Sequence, residues 1–185
     1  MALLAESLVE EWLNRRGFFT IRGVKHGVRE MDILAIRHDP NGTVIGWHVE
    51  VQVSFRPVGY ICKLTNQIIG ESNRKKTSAK QRTDKEIDIC AAEWVEQKFV
   101  AKKKHDAREQ LWPGLNWSYY FIHGVVREEN ELKKIRSKNI KVIPFIQVLT
   151  ELCHTGEQSF SASAGGDLAE IVRYYQENCP LNEYK

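Results

Sequence analysis

The chain has 185 residues, of which 42% are hydrophobic and 28% are charged, and its formal net charge is +3. This composition is typical of a soluble globular protein, and we predict a single domain over residues 1–185. No apolar run approaches the ~18 residues that a membrane-spanning helix needs. The small positive charge permits contact with nucleic acid without demanding it.

The first residues and the cysteines predict a cytoplasmic protein. The first eleven positions carry three acids and no early positive charge, which is unlike a secretory signal peptide. The cysteines form no CxxC pair, so we expect reduced and mostly buried thiols at Cys62, Cys90, Cys153 and Cys179. A structural metal site made by Cys153, His154 and Cys179 is the less favoured alternative.

The first half of the chain predicts one helix followed by three strands. Apolar residues recur at three- and four-residue spacing over residues 3–16, which predicts a helix that Gly17 ends. Runs of β-branched and aromatic residues predict strands at 18–24, 29–37 and 43–55. Turn-forming residues separate the second strand from the third, so we expect these two strands to form a hairpin.

The second half predicts alternating helices and strands after an irregular stretch at 56–83. Asp84 is a good N-cap for a long helix that runs to about residue 104. Lys102, Lys103 and Lys104 would then lie at its C-terminus, where the helix dipole favours cations. The remaining predicted elements are a strand at 117–126, a polar helix at 128–138, a strand at 140–149 and a final helix at about 166–179.

This order of elements predicts an α/β fold of the mixed, α+β type. We expect a central mixed β-sheet of about five strands flanked by helices. The hairpin in the first half argues against a purely parallel, doubly wound sheet.

Two acidic residues on adjacent predicted strands form the candidate site. On the third strand His48, Glu50 and Gln52 alternate with valines, so these polar side chains share one face. Asp32 lies in an apolar run, where an unpaired carboxylate would cost several kcal/mol. If the two strands pair, Asp32 can lie beside Glu50, and the two negative charges then call for a positive centre.

A divalent cation meets this requirement. Mg²⁺ prefers oxygen ligands and keeps several waters, so Asp32, Glu50 and the backbone carbonyl of Val51 would form an open site that also accepts Mn²⁺. The metal would activate a water and neutralise charge in phosphodiester hydrolysis, while the Gln52 amide orients the water or a phosphate oxygen. Ion pairing of the acids with a nearby basic residue is equally open; the candidates are Arg22, Lys25 and Arg29.

Further residues are candidates for the same site or for DNA contact. Glu6, at the edge of the apolar face of the first helix, can reach the same metal or a second ion, although a solvated helix acid is the simpler interpretation. Residues 74–82 hold five basic side chains and no acid, namely Arg74, Lys75, Lys76, Lys80 and Arg82. These side chains and His48 would contact phosphates. A solvated loop, and a structural hydrogen bond for His48, are equally open alternatives.

The layout resembles the PD-(D/E)XK nuclease superfamily, which includes restriction endonucleases and archaeal-type Holliday junction resolvases. The residues that carry the resemblance are the leading helix with Glu6, the segment 27–35 with Asp32, and the segment 48–54. The resemblance implies a restriction endonuclease-like core over about residues 3–149. It also implies that the paired acids are metal ligands.

The third motif position departs from the family pattern. Gln52 stands where the family usually has a lysine, so the role of that lysine is either unfilled or taken over by another residue. The resemblance implies a Mg²⁺-dependent DNA endonuclease, and family enzymes often act as homodimers. The alternative is a nuclease-fold protein that has lost catalysis and serves as a nucleic-acid-binding or assembly module.

Overall fold

A five-stranded mixed sheet forms the centre of the molecule, as the sequence predicts, and the computed structural model describes residues 2–27, 29–78, 80–154 and 165–178. The strands lie side by side in chain order, and the sheet is open. The first three strands are antiparallel, and the last two are parallel to the third. They are β1 (Phe19–His26), β2 (Arg29–His38), β3 (Val44–Gln52), β4 (Trp117–His123) and β5 (Lys141–Pro144).

Helices cover both faces of this sheet. One core joins the sheet to α1, α6 and α7 and contains Val9, Val49 and Val51. The other joins the opposite face to α3, a π-helix and α5, and it contains Phe99 and Phe121. The helices are α1 (Ala2–Arg15), α2 (Asn66–Ser72), α3 (Asp84–Val95), the π-helix (Glu96–Val100), α4 (Lys102–Leu111), α5 (Glu129–Arg136), α6 (Phe145–His154) and α7 (Gly165–Asn178).

The long helix predicted from Asp84 differs from the observed structure at both ends. Thr83 is the N-cap, because its hydroxyl accepts from the Glu86 N–H while the Glu86 carboxylate accepts from the Thr83 N–H. The helix widens into the π-helix at Glu96, and it then breaks at Ala101, whose φ of −41° and ψ of 130° are not helical. A separate helix, α4, follows this break.

The predicted strand at 140–149 is wrong beyond Pro144. Proline lacks the N–H that would continue the ladder, and β5 ends there. Phe145, Val148 and Leu152 then bury one face of α6 at three- and four-residue spacing. The stretch predicted as irregular also contains a short helix, α2.

Three of the four cysteines lie in the part of the chain that the structure describes. Cys62 and Cys90 are buried free thiols, and Cys153 is partly buried. Cys179 lies outside the described residues, so the alternative metal site with His154 has no structural description here. Of the helices that the structure describes, none is long and apolar enough to cross a membrane.

We expect Gly124→Ala to destabilise the fold, because Gly124 packs on the backbone of Ser54 just after β4. An added Cβ would lie 2.6 Å from the Ser54 nitrogen and closer still to its carbonyl oxygen, where only the backbone can yield. The expected loss of unfolding free energy is about 1–3 kcal/mol in urea denaturation.

Gly70→Ala is the matched control. Gly70 lies on α2, where a Cβ meets nothing within 4 Å, so this substitution should stabilise by about 0.5–1 kcal/mol. A neutral Gly124→Ala variant would contradict the close contact between the two strand ends.

Candidate functional site

The register of β2 against β3 brings the two predicted acids together. Ile33 pairs with Val49, so Asp32 lies level with Glu50. Asp32 Oδ2 accepts a hydrogen bond of 2.7 Å from the Val51 N–H. The N–H and C=O of one strand residue face the same neighbouring strand, so the Val51 carbonyl also faces the side of Asp32.

Asp32 is the acid whose charge is not balanced in this structure. Burial and the negative charge of Glu50 raise the pKa of Asp32 to about 7, against the smaller opposing effects of Lys98 and the Val51 hydrogen bond. Among the residues described, no basic side chain forms a close ion pair with it. A buried carboxyl with a raised pKa beside a second carboxylate is a place where a bound cation would be stabilising.

Glu50, in contrast, is saturated with hydrogen-bond donors. Its Oε1 accepts from His48 Nε2 at 3.0 Å and from Lys104 Nζ at 2.6 Å, and its Oε2 accepts from Lys98 Nζ at 2.6 Å. Burial opposes ionisation of Glu50. The hydrogen bond from His48 and the positive charges of the two lysines outweigh burial and lower the pKa to about 2. Glu50 is therefore ionised at neutral pH.

The basic partners of Glu50 are not those that lie near the acids in sequence. Arg22 pairs with Glu10, and Lys25 pairs with Glu30. The side chain of Arg29 lies outside the described part of the chain. Sequence reasoning missed Lys98 altogether and placed Lys104 at a helix C-terminus.

The break at Ala101 explains how two lysines reach one carboxylate. The end of the π-helix leaves backbone carbonyls without intrahelical partners. Lys104 Nζ donates to the Lys98 carbonyl at 2.7 Å, and Arg108 Nη1 donates to the Phe99 carbonyl at 3.0 Å. Lys104 and Arg108 are four residues apart on α4, so they share one face. That spacing was the only sequence signal for their common role.

His48 orients Glu50 from within the core. The ring is fully buried, and its Nδ1 lies 3.0 Å from Arg108 Nη1. A guanidinium only donates, so Nδ1 accepts, and Nε2 carries the proton that is donated to Glu50. Burial lowers the pKa of His48 to about 4, so the ring is neutral. This placement corrects the expectation that His48 contacts phosphate.

The two lysines differ in their electrostatic state. Burial lowers the pKa of Lys104 despite the opposing charge of Glu50. Burial also acts on Lys98, but the negative charges of Glu50 and Asp32 outweigh it and raise the pKa. The positive charge of Lys98 adds to the lowering of the Lys104 pKa. The Lys98 side chain is 35% exposed and that of Lys104 is 4% exposed. Lys98 is therefore the more accessible cation and remains firmly protonated.

Glu6 lies within electrostatic reach of the paired acids. It is partly buried on α1, and burial together with the charges of Glu30 and Glu50 raises its pKa against the effect of Arg22. Its own charge contributes to the raised pKa of Asp32. Among the described residues, no group of three or more His, Cys, Asp and Glu side chains is arranged to hold a metal ion.

The basic side chains of residues 74–82, the basic segment, differ in burial and in partners. Arg82 is buried: its Nη1 donates to the Cys62 carbonyl at 2.8 Å, and its guanidinium lies 3.8 Å from the ring centroid of Tyr60. This corrects the prediction that Arg82 contacts DNA. Arg74 forms an ion pair with Glu86, whereas the exposed cations of the segment are Lys75, Lys76 and Lys80.

A cleft of about 540 Å³ opens next to Lys98, the ion-pair partner of Glu50. Gln52 is exposed at the end of β3 and lines this cleft together with Lys98. Lys63 and Lys76 also line it. Lys76 is thus the residue of the basic segment that the structure brings to the predicted site.

We expect Asp32→Asn to stabilise the metal-free protein at high pH. The ordinary pKa of the carboxyl is 3.8 and the folded-state value is about 7. Because the pKa is higher in the folded state, the folded protein holds this proton more tightly than the unfolded chain does. The stability that results is fully present below the unfolded-state pKa of 3.8 and is lost as the pH rises through about 7. In EDTA the free energy of unfolding of the variant should exceed that of wild type by on the order of 1–4 kcal/mol at about pH 8. At about pH 4 the two should be almost equal.

Urea denaturation at the two pH values measures this difference. Asp106→Asn is the control, because Asp106 is an acid on α4 whose side chain is 45% exposed. An Asp32→Asn variant that is less stable than wild type at both pH values would contradict the unbalanced charge.

No family model and no curated protein matches the chain. The crystal structure of AF1548, a protein of unknown function, is similar with a TM-score of 0.45 and 12% sequence identity, over 96% of this chain and 97% of that chain. A likeness of this degree carries no argument about function.

Proposed function

We propose that this protein is a Mg²⁺-dependent endonuclease that hydrolyses phosphodiester bonds in DNA. One observation carries the proposal: Asp32, with its charge unbalanced, lies level with an ionised Glu50, whose ion-pair partner Lys98 lines a cleft together with Gln52. The resemblance of the sequence motifs to PD-(D/E)XK nucleases supports the same reading. Free, buried Cys62 and Cys90 suit the reducing cytoplasm.

The donor set suits a hard cation. The carboxylates of Asp32 and Glu50 and the carbonyl of Val51 are oxygen ligands, which Mg²⁺ prefers, and Mn²⁺ would substitute. Oε1 of Glu50 is held by His48 and Lys104, whereas Oε2 bonds only to Lys98 among the described residues. Oε2 is therefore the oxygen that would turn towards a metal.

Each residue at the cleft has a role that its chemistry allows. When bound, Mg²⁺ would polarise the phosphoryl oxygens and lower the pKa of a water. The negative charges of Glu50 and Asp32 favour the ammonium form of Lys98, which would donate to a phosphoryl oxygen and stabilise the charge that develops there. Gln52 would orient the attacking water through its amide. Glu6, whose charge acts on Asp32, would help to hold the same metal or a second ion.

Lys98 would thus take over the role of the lysine that Gln52 replaces. It comes from the π-helix, not from β3, yet its Nζ lies 2.6 Å from Glu50 Oε2. π-Helical turns occur often at functional sites. A homodimer, in which two such sites cut two strands, stays a prediction.

A second candidate function is a nuclease-fold protein that binds nucleic acid without cutting it. The observation that favours it is that Lys98 and Lys104 already neutralise Glu50 without a metal. The two candidates predict the same binding surface and differ only in cleavage.

We expect cleavage of DNA in Mg²⁺ or Mn²⁺ and none in EDTA. Asp32→Asn and Glu50→Gln should each lower the rate by about 10²-fold or more, because each removes a charged oxygen ligand. Single-stranded, duplex and branched DNA are the substrates, and Lys85→Ala, an exposed change on α3, is the control. Activity that survives both substitutions would sink the site assignment, and binding without cutting would favour the second candidate.

We also expect the position of the lysine to be exchangeable. Lys98→Ala should lower the cleavage rate about 10²-fold. The double variant Lys98→Ala/Gln52→Lys should cut about tenfold or more faster than Lys98→Ala alone, since both side chains line the same cleft. Cleavage rates of the single and double variants, with exposed Lys102→Ala as the control, measure this exchange. Full activity of Lys98→Ala would refute the role of Lys98.

A further inference from the structure

Two adjoining clefts form a groove that begins at the candidate site. The larger, of about 540 Å³, is lined by Lys98 and Gln52, and the smaller, of about 300 Å³, is lined by Tyr60 and Ser78. Gln52, Ile61, Lys63 and Lys76 line both clefts. We call this continuous feature the strand groove.

The strand groove combines cations, an apolar surface and polar groups. Lys63 and Lys76 are exposed, and neither forms an ion pair within the part of the chain that the structure describes. Ile61, Leu64 and Trp94 of α3 form the largely buried apolar floor of the larger cleft, and the half-buried Tyr60 lines the smaller cleft. On the helical side, Gln97 Nε2 donates to Glu93 Oε1 at 2.8 Å.

This distribution of charge matches a nucleotide strand. Phosphates would lie along Lys63 and Lys76, which come from the loops. The carboxylate of Glu93 repels phosphate, so the helical side suits the polar edge of a base. Unpaired strands are bound in this way, by a cationic track beside surfaces on which bases pack.

Buried contacts hold the strand groove in shape. The Glu131 carboxylate accepts from the Ile61 N–H at 2.6 Å and from the Cys62 N–H at 3.0 Å. The Leu64 N–H donates to the Lys76 carbonyl at 3.2 Å, which joins the two loops that carry the lysines. A groove that is formed before binding loses less conformational entropy when a ligand enters.

We infer that the strand groove binds an unpaired DNA strand, so that the substrate is single-stranded DNA or the unpaired arm of a branched duplex. The inference rests on the proposed function for the reaction at the paired acids. A duplex keeps its bases stacked inside, and it can place a base in the groove only by extruding it at a free-energy cost. An unpaired strand does not carry that cost.

The test is fluorescence anisotropy in EDTA, where no cleavage occurs. The probes are a labelled thymidine oligonucleotide of about 12 nucleotides and a blunt duplex of equal length, a length within the site sizes of single-strand binders. We expect the single strand to bind about tenfold or more tightly than the duplex. The double variant Lys63→Ala/Lys76→Ala should weaken single-strand binding about tenfold or more. Its salt dependence, log K against log salt, should be shallower by about 0.7 for each lysine removed.

Lys85→Ala/Lys102→Ala is the matched control, because it removes two exposed lysines that do not line the groove. It should leave both the affinity and the salt dependence unchanged, and thermal melts check that both double variants fold. Equal affinity for single strand and duplex, or equal behaviour of the two double variants, would overturn the inference.

Failure of the groove can be told apart from failure of the proposed function. If wild type cuts no DNA but binds the single strand through Lys63 and Lys76, the result supports strand binding by the groove and contradicts the proposed endonuclease activity. If the Lys63→Ala/Lys76→Ala variant binds DNA as wild type does and still cuts every substrate, the result contradicts strand binding by the groove and is compatible with the endonuclease activity.

Discussion

One buried carboxylate, that of Glu50, connects the strand half of the molecule to its helical half. It lies on β3 in the middle of the sheet, and Lys98 and Lys104 reach it from the π-helix and α4. An unpaired buried charge costs several kcal/mol, so neither the acid nor the lysines would be stable in this position alone. The same contact that allows the helices to pack also sets the geometry at the cleft. The stability of the fold and the proposed function therefore depend on the same interaction.

The non-helical backbone at Ala101 makes this interaction possible. A continuous helix would carry Lys104 along the same axis as Lys98, whereas the break lets α4 turn back so that Lys104 caps the Lys98 carbonyl. Arg108 caps the Phe99 carbonyl and supports His48, which donates to Glu50. The cations thus compensate the negative end of the helix dipole and the negative charge of Glu50 together.

Local patterns in the sequence were sufficient for the sheet and for the paired acids. Alternation on β3 and the turn before it specify which side chains share a face, and pairing with β2 then brings Asp32 level with Glu50. The lysine partners of Glu50 could not be predicted, because they are 48 and 54 residues away and depend on tertiary packing. Arg82 was misjudged for the same reason, since its buried contacts are made with residues some 20 positions earlier. The apolar run after Pro144 fits the spacing of a helix as well as that of a strand.

The two acids are unequal, and this inequality has a consequence for any cation that binds. Glu50 keeps its charge through three donors, so its lowered pKa adds stability without a metal. Asp32 accepts a hydrogen bond only from the Val51 N–H among the described donors. Its raised pKa means that burial and the charge of Glu50 make ionisation of Asp32 costly in free energy. A divalent cation would relieve that cost at Asp32, but it must compete with Lys98 for Glu50 Oε2. Binding would therefore release the Lys98 ammonium beside Gln52, at the point where the strand groove begins, and so couple the filling of the site to the availability of a cation for phosphate.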